Sequence, residues 1–151
     1  MRHRSATALP GAICLAATLA LTLGLAATPA AAAPKKFIIK DQSSTILIDT
    51  KVAHDILEAA VPGDRMHKVY NNLRWGFASQ VEGGLTQTGT CVITARVMLL
   101  PATVGKSLLF NPSKKVTVFD AVPNSSREKC AELAGAKLKE AADAMVGGIL
   151  K

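Results

Sequence analysis

The stretch GTCVITARVMLLP, residues 89–101, decides the fold of this 151-residue chain. Its side chains alternate as they do along a β-strand, where successive residues point to opposite faces of the sheet. One face carries Cys91 with an apolar set, and the other mixes polar and apolar side chains. The first set is Cys91, Ile93, Ala95, Val97 and Leu99, and the second is Thr90, Val92, Thr94, Arg96 and Met98. The sequence therefore predicts a central strand that turns Cys91 toward the core.

Further strand patterns lie on both sides of this stretch. The segment LRWGFASQV at 73–81 also alternates, and the connection GGLTQTGT joins it to the central strand. The runs at 107–110 and 116–119 are predicted to continue the sheet, with turn residues between them. Nearer the start of the chain, the runs at 37–40 and 45–48 either pair as a small hairpin, or one of them is an edge strand.

A short helix is predicted from the segment TKVAHDILEAAVPG, residues 50–63. Its apolar residues recur at helical spacing. Asp49 or Thr50 can cap the start, and Pro62 with Gly63 ends the helix.

A longer helix is predicted to close the chain, within residues 124–151. Ser125 followed three residues later by Glu128 is the pattern of a capping box. An apolar stripe that includes Cys130 follows, so this cysteine lies in the first turn and faces the core. The predicted fold is α+β: a single small domain with an antiparallel sheet of about four to five strands, packed by the C-terminal helix and the shorter N-terminal helix.

The first residues have the pattern of a secretory signal. Arg2 and Arg4 precede the apolar run AICLAATLALTLGLAA, and small residues follow in TPAAAAP. We place the cleavage after Ala32, so that residues 1–32 form a signal peptide and residues 33–151 form the domain. The predicted location is periplasmic or secreted, with no stable membrane anchor after cleavage.

Two cysteines remain beyond the predicted signal, and both lie on predicted core faces. In an oxidising compartment, such a pair is most simply a disulfide, Cys91–Cys130. A nucleophilic Cys91 would need a neighbouring base, and nothing in the sequence places His54 or His67 beside it. The pair is therefore predicted to be structural.

Other chemistries have little support in the sequence. His54 and Glu58 share a helix face, with His67 beyond the following turn, but zinc needs three or four converging ligands, so we predict no metal and no cofactor. The chain holds 18 Lys and Arg against 11 Asp and Glu, and it has one Trp, one Tyr and four Phe. Because few aromatic side chains accompany the charges, nucleic acid is not an expected partner.

The remaining candidates lie on the polar faces of the predicted strands. Arg74 and Arg96, together with Gln80, Thr90 and Thr94, are predicted to form a polar sheet surface that would favour an acidic protein or an envelope polymer. The predicted function is that of a small exported, non-catalytic binding or accessory protein that acts through a surface. The alternative is a secreted hydrolase with an unrecognised site of histidines or acids, since Asp64, Glu82 and Asp120 could meet in space.

Overall fold

The computed structural model describes residues 36–151, so the predicted signal peptide and its cleavage site lie outside the described residues. Four strands lie in the order β1-β2-β3-β4, with β1 parallel to β2 and the other neighbours antiparallel. The α+β prediction is confirmed, with a sheet that is mostly antiparallel. Along this part of the chain the elements are β1 (Ile38–Asp41), α1 (Thr50–Ala60), α2 (Gly63–His67), β2 (Trp75–Leu85), β3 (Cys91–Pro101), β4 (Lys114–Val122) and α3 (Arg127–Ile149).

The first strand is an edge strand, and no hairpin forms with residues 45–48. The amides of Leu47 and Ile48 both donate to the carbonyl of Ser44, at 2.9 and 3.1 Å, so the chain turns directly into α1. Because α1 and α2 then carry the chain across the sheet, β1 meets β2 in the parallel direction.

Side chains as well as backbone hold β1 in register. Asp41 Oδ1 accepts hydrogen bonds from the hydroxyls of Ser43, at 2.6 Å, and Ser79, at 2.7 Å. The amide of Val81 donates to Ser43 Oγ at 2.9 Å. Ser79 is fully buried, whereas Asp41 and Ser43 are half-buried, and together these bonds fix β1 against the middle of β2.

The predicted strand at 107–110 is instead part of a loop. A single bridge joins Ala102 to Leu108, whose side chain is buried. Pro112 has no N–H for a ladder hydrogen bond, and the fourth strand begins just after it, at Lys114.

Both longer helices have side-chain caps. Asp49 Oδ1 accepts from the amides of Lys51, at 2.8 Å, and Val52, at 3.4 Å, so Asp49 is the cap of α1. For α3 the predicted cap is wrong by one residue: Ser126 Oγ, not that of Ser125, accepts from an amide of the first turn, that of Lys129 at 3.2 Å. The short helix α2 was not predicted.

The core lies between α1, α3 and one face of the sheet. Cys91 and its apolar partners on β3 point toward these helices, as predicted. Cys91 and Cys130 are disulfide-bonded with their Cα atoms 5.5 Å apart, which confirms the predicted pair. Both cysteines are buried, so the bond ties the start of α3 to the central strand inside the core. Within residues 36–151, no helix combines the length and the apolar character needed to cross a bilayer.

Candidate functional site

The helices cover only one face of the sheet. On the opposite face, the end nearest the loop that follows β3 carries a small apolar cluster of Ala78, Met98, Leu100 and Leu108. The remainder is open and largely polar. We call this part the open face, and its residues are Lys40, Gln80, Glu82, Thr94, Arg96, Lys115, Thr117 and Phe119.

Strand register brings three cations together on the open face. One row of register partners crosses all four strands, from Lys40 of β1 through Ala78 and Met98 to Lys115 of β4. Neighbouring strands are about 4.8 Å apart, so these two lysines flank a row roughly 14 Å wide. Arg96 lies in the adjacent row, opposite Gln80 on one side and Thr117 on the other. The three positive charges therefore come from three different strands.

The guanidinium of Arg96 is held in place from one side. Its Nη1 donates to Gln80 Oε1 at 2.9 Å, and Gln80 Nε2 donates to Glu82 Oε1 at 2.7 Å. Its Nε is buried and has no hydrogen-bond partner among the described residues. Gln80 therefore orients Arg96 without neutralising it, because the amide carries no charge.

Arg74 is not beside Arg96. It precedes β2 and is exposed, and it lies six positions before Gln80, the register partner of Arg96. At about 3.3 Å per residue, this places the two arginines roughly 20 Å apart along the sheet. The structure therefore separates the two predicted binding residues, and a role for either in binding stays a prediction.

Four lysines on or near the helices each lie close to an acidic side chain. Lys51 lies 2.6 Å from Asp55, Lys137 lies 2.9 Å from both Asp120 and Glu140, and Lys139 lies 2.6 Å from Asp143. Lys36 likewise pairs with Glu58 at 2.5 Å. By contrast, Lys40, Arg96 and Lys115 form no ion pair with any residue of 36–151. The open face therefore carries three positive charges that have no acidic partner among the described residues.

The histidine and acids of α1 do meet, in a group that we call the α1 cluster: His54, Asp55 and Glu58. One candidate ligand atom from each lies within 4.8 Å of the others. His54 Nδ1 is 3.8 Å from Glu58 and 3.9 Å from Asp55. His67 is not a member of this group. The cluster borders a cavity of about 270 Å³ between α1 and the chain around Phe37.

Both carboxylates of the α1 cluster form ion pairs with lysines, Glu58 with Lys36 and Asp55 with Lys51. The hydrogen bond from Lys36 lowers the pKa of Glu58, and that from Lys51 lowers the pKa of Asp55. Both acids are therefore ionised near neutral pH, so neither is suited to act as a general acid. The prediction that no metal binds here remains to be tested.

The pair of acids that the alternative hydrolase hypothesis would need does not form between Glu82 and Asp120. Glu82 pairs in register with Thr94 and lies on the open face. Asp120 pairs with Ile93, whose side chain is in the core, and its carboxylate contacts Lys137 of α3. The two acids therefore lie on opposite faces of the sheet.

Two cations of the open face were missed from the sequence. Alternation with Val116 and Val118, which pack against the core, could have placed Lys115 on the outer face. No such local signal exists for Lys40, because its position depends on the parallel register of β1. Phe119 was assigned to a strand without a surface role, yet its side chain is 62% exposed.

Comparison with known proteins gives only distant similarities. No model of a protein family matches the chain, and no curated protein does. Among solved structures, PelC from Paraburkholderia phytofirmans, described as a dodecamer, is 13% identical over 76% of this chain and 91% of its own, with a TM-score of 0.44. A variant of that protein is 11% identical over 72% and 88%, with a TM-score of 0.38.

A third solved structure, a candidate lipoprotein from Caulobacter crescentus, is 12% identical over 74% of this chain and 84% of its own, with a TM-score of 0.32. Similarities at this level carry no argument about activity, partners or assembly. The disulfide is compatible with an extracytoplasmic location, because such bonds persist in oxidising compartments.

Proposed function

We propose that this chain is a small exported accessory protein, without catalytic activity, whose open face binds an acidic polymer of the cell envelope. The observation that carries the proposal is the placement of three cations on one open sheet face. Lys40, Arg96 and Lys115 come from three different strands, and none has an acidic partner within residues 36–151. A partner that supplies negative charge would complement this face.

The layout of the open face suits an extended polyanion. Its cations come from β1, β3 and β4, so they are spread across the strands and do not converge on a single point. Gln80 holds Arg96 in advance, which reduces the conformational entropy lost on binding. Phe119 adds an exposed aromatic ring beside Thr94, and such a ring offers apolar contact to a chain that runs across the sheet.

A hydrolase has less support from the same structure. Glu82 and Asp120 lie on opposite faces of the sheet, and both acids of the α1 cluster are paired with lysines. Lysines lower the pKa values of Asp55, Glu58 and Asp120, so none of these three carboxylates is suited to protonate a leaving group.

The test compares two variants that remove the same charge. One carries Lys40→Gln, Arg96→Gln and Lys115→Gln on the open face. The control replaces three exposed cations outside it, which form no ion pair with described residues: Arg65→Gln, Lys68→Gln and Lys129→Gln. Binding to immobilised polygalacturonate, a linear polyuronate, is measured for both and for the parent.

We expect the open-face variant to bind roughly five- to thirtyfold more weakly than the parent, because each of the three exposed charges contributes about 0.3–0.7 kcal/mol. The control should change by less than about twofold at moderate salt, since its cations lie away from the contact. Equal losses in the two variants would show that only net charge matters and would overturn the proposal. If the open-face variant keeps the polymer but loses an acidic protein from an envelope extract, the partner is a protein and the polymer assignment is wrong.

A further inference from the structure

One end of the sheet displays apolar side chains to solvent. At this end β2 begins, β3 finishes and β4 begins. Val104 is fully exposed, Leu73 is 69% exposed, and Phe110 and Leu109 are 56% and 51% exposed. We call this region the loop end, defined by residues 102–113 together with 73–74. Four exposed apolar side chains therefore lie at the same end of the sheet, and we refer to them as the apolar patch, because exposed apolar groups gathered at one place mark interaction sites.

Backbone hydrogen bonds join the two segments of the loop end to each other and to the sheet. The amide of Ala102 donates to the carbonyl of Arg74 at 2.8 Å and joins the two segments, and the amide of Leu109 donates to the carbonyl of Pro101 in β3 at 2.8 Å. The amide of Ser113 donates to Leu99 at 3.0 Å. These bonds anchor the segment at several points, so its exposed side chains belong to a built surface.

Val104 lies at the tip of a tight turn. The amide of Thr103 donates to the carbonyl of Ser107, and the amide of Lys106 donates back to the carbonyl of Thr103, both at 2.9 Å. Lys106 has a positive φ of 60°, which completes the reversal. Leu108 is buried at the base of this turn. The turn therefore projects Val104 away from the fold while its base stays packed.

Positive charges surround this apolar patch, and negative charges are absent from it. Arg74, Lys106 and Lys114 are exposed, and none forms an ion pair with a residue of 36–151. The sequence from Gly83 to Phe119 contains no Asp or Glu. An acidic partner in water would match the cations but would leave the apolar tip without a contact. An anionic bilayer matches both, because headgroup phosphates meet the cations and the acyl boundary receives the apolar side chains.

We propose that the loop end docks the protein peripherally on membranes that contain anionic phospholipids. Val104, Leu109 and Phe110 enter the interfacial region, and Arg74, Lys106 and Lys114 contact lipid phosphates. The site is separate from the open face, which lies further along the same strands and stays accessible when the loop end is docked. The attachment is reversible, because a few inserted side chains provide far less apolar area than a membrane-spanning helix.

The test uses the exported protein and flotation with two kinds of vesicle, phosphatidylcholine alone and phosphatidylcholine mixed with phosphatidylglycerol. The apolar variant carries Val104→Ser, Leu109→Ser and Phe110→Ser, and its control replaces exposed apolar residues elsewhere, Ile46→Ser and Val69→Ser. The cationic variant carries Arg74→Gln, Lys106→Gln and Lys114→Gln. Its control is the charge-matched variant at positions 65, 68 and 129. Thermal unfolding confirms that each variant is folded.

We expect the parent to float with the anionic vesicles at low salt and to stay in solution with phosphatidylcholine alone. The cationic variant should bind about fivefold more weakly for each charge removed. The apolar variant should bind at least about tenfold more weakly. Both controls should float like the parent, apart from a small effect of net charge. If the apolar variant floats as well as the parent, the contact depends only on nonspecific charge and the proposal is wrong. The proposal is also wrong if the parent never floats.

Fluorescence provides a second readout that does not depend on affinity. Val104→Trp places a reporter at the tip, and Ile46→Trp places one at an equally exposed control position, while the native Trp75 contributes to both signals. Anionic vesicles should shift the emission of the Val104→Trp protein toward the blue and leave that of the control unchanged. If the vesicles shift the emission of both proteins equally, or shift neither, insertion of the tip is contradicted.

Discussion

Removing the disulfide should cost a large share of the stability of this domain. The double substitution Cys91→Ala and Cys130→Ala opens a loop whose ends are 39 residues apart. In the chain-entropy model, closing a loop of that length lowers the entropy of the unfolded chain by an amount worth about 4 kcal/mol at 25 °C. The unfolding entropy is about 2.1 cal/mol/K for each residue of the domain, residues 33–151. Dividing the loss of about 4 kcal/mol by the total unfolding entropy gives a fall in Tm of roughly 15 °C.

Urea unfolding measured by circular dichroism gives the free energy directly. Because both sulfurs are buried, alanine also leaves small voids, which add to the loss. The loss of the cross-link and the loss of side-chain volume can be separated by measuring the parent protein in reductant. The reduced parent lacks the cross-link but keeps both cysteine side chains. We expect the reduced parent to lose about 4 kcal/mol and the double variant to lose slightly more.

The reasoning fails if the reduced parent unfolds within about 1 kcal/mol of the oxidised protein. Such a result would mean that the unfolded chain already keeps the start of α3 close to β3, so that the bond removes little entropy. Intact mass provides the necessary control, because the oxidised parent must be two hydrogens lighter than the reduced form.

Three further predictions follow from the sheet and the helix layer. Gly83→Ala should destabilise the protein by about 2–4 kcal/mol, because Gly83 has a φ of 120° and a Cβ there would overlap the carbonyl oxygen of Val92. Gly84→Ala is the control: a Cβ there meets open space, so it should cost less in the same urea titration. Lys137 lowers the pKa of Asp120, so this pair stabilises the fold above the ordinary carboxyl pKa of 3.8 and loses its effect as the pH falls through the lowered value; Lys137→Gln should therefore flatten the acid limb of a plot of Tm against pH. Chelation with EDTA should leave the Tm unchanged, because lysines already pair with both carboxylates of the α1 cluster, and stoichiometric zinc in the purified protein would contradict this.

The central part of the fold could be predicted from the sequence because its signals are local. Alternation alone placed Cys91 on the core face of β3, and the apolar stripe of the last helix placed Cys130 on the buried face of that helix. Two buried cysteines in a predicted exported chain then favoured the disulfide that the structure shows. The exact helix start was less certain, because Ser125 and Ser126 are adjacent and either side chain can cap.

The parallel pairing of β1 could not be predicted from local pattern. A strand of four residues has too little alternation to fix its direction, and its position depends on the contacts of Asp41 with Ser43 and Ser79. The contact between Asp41 and Ser79 spans 38 positions in the sequence. The place of Lys40 on the open face follows from that pairing, so the candidate surface was only partly visible from the sequence.

The two proposed surfaces share their long-range electrostatics and differ in their short-range contacts. Both draw on the acid-free stretch from Gly83 to Phe119, which forms most of β3, the loop end and β4. An anionic partner approaching from solution is attracted by the sum of these charges, and salt screens that attraction over about 8–10 Å whichever surface it reaches. Salt dependence alone therefore cannot distinguish the polymer from the membrane. Substitution of Val104, Leu109 and Phe110 can distinguish them, because it leaves every charge in place and removes only the side chains that a bilayer would accept.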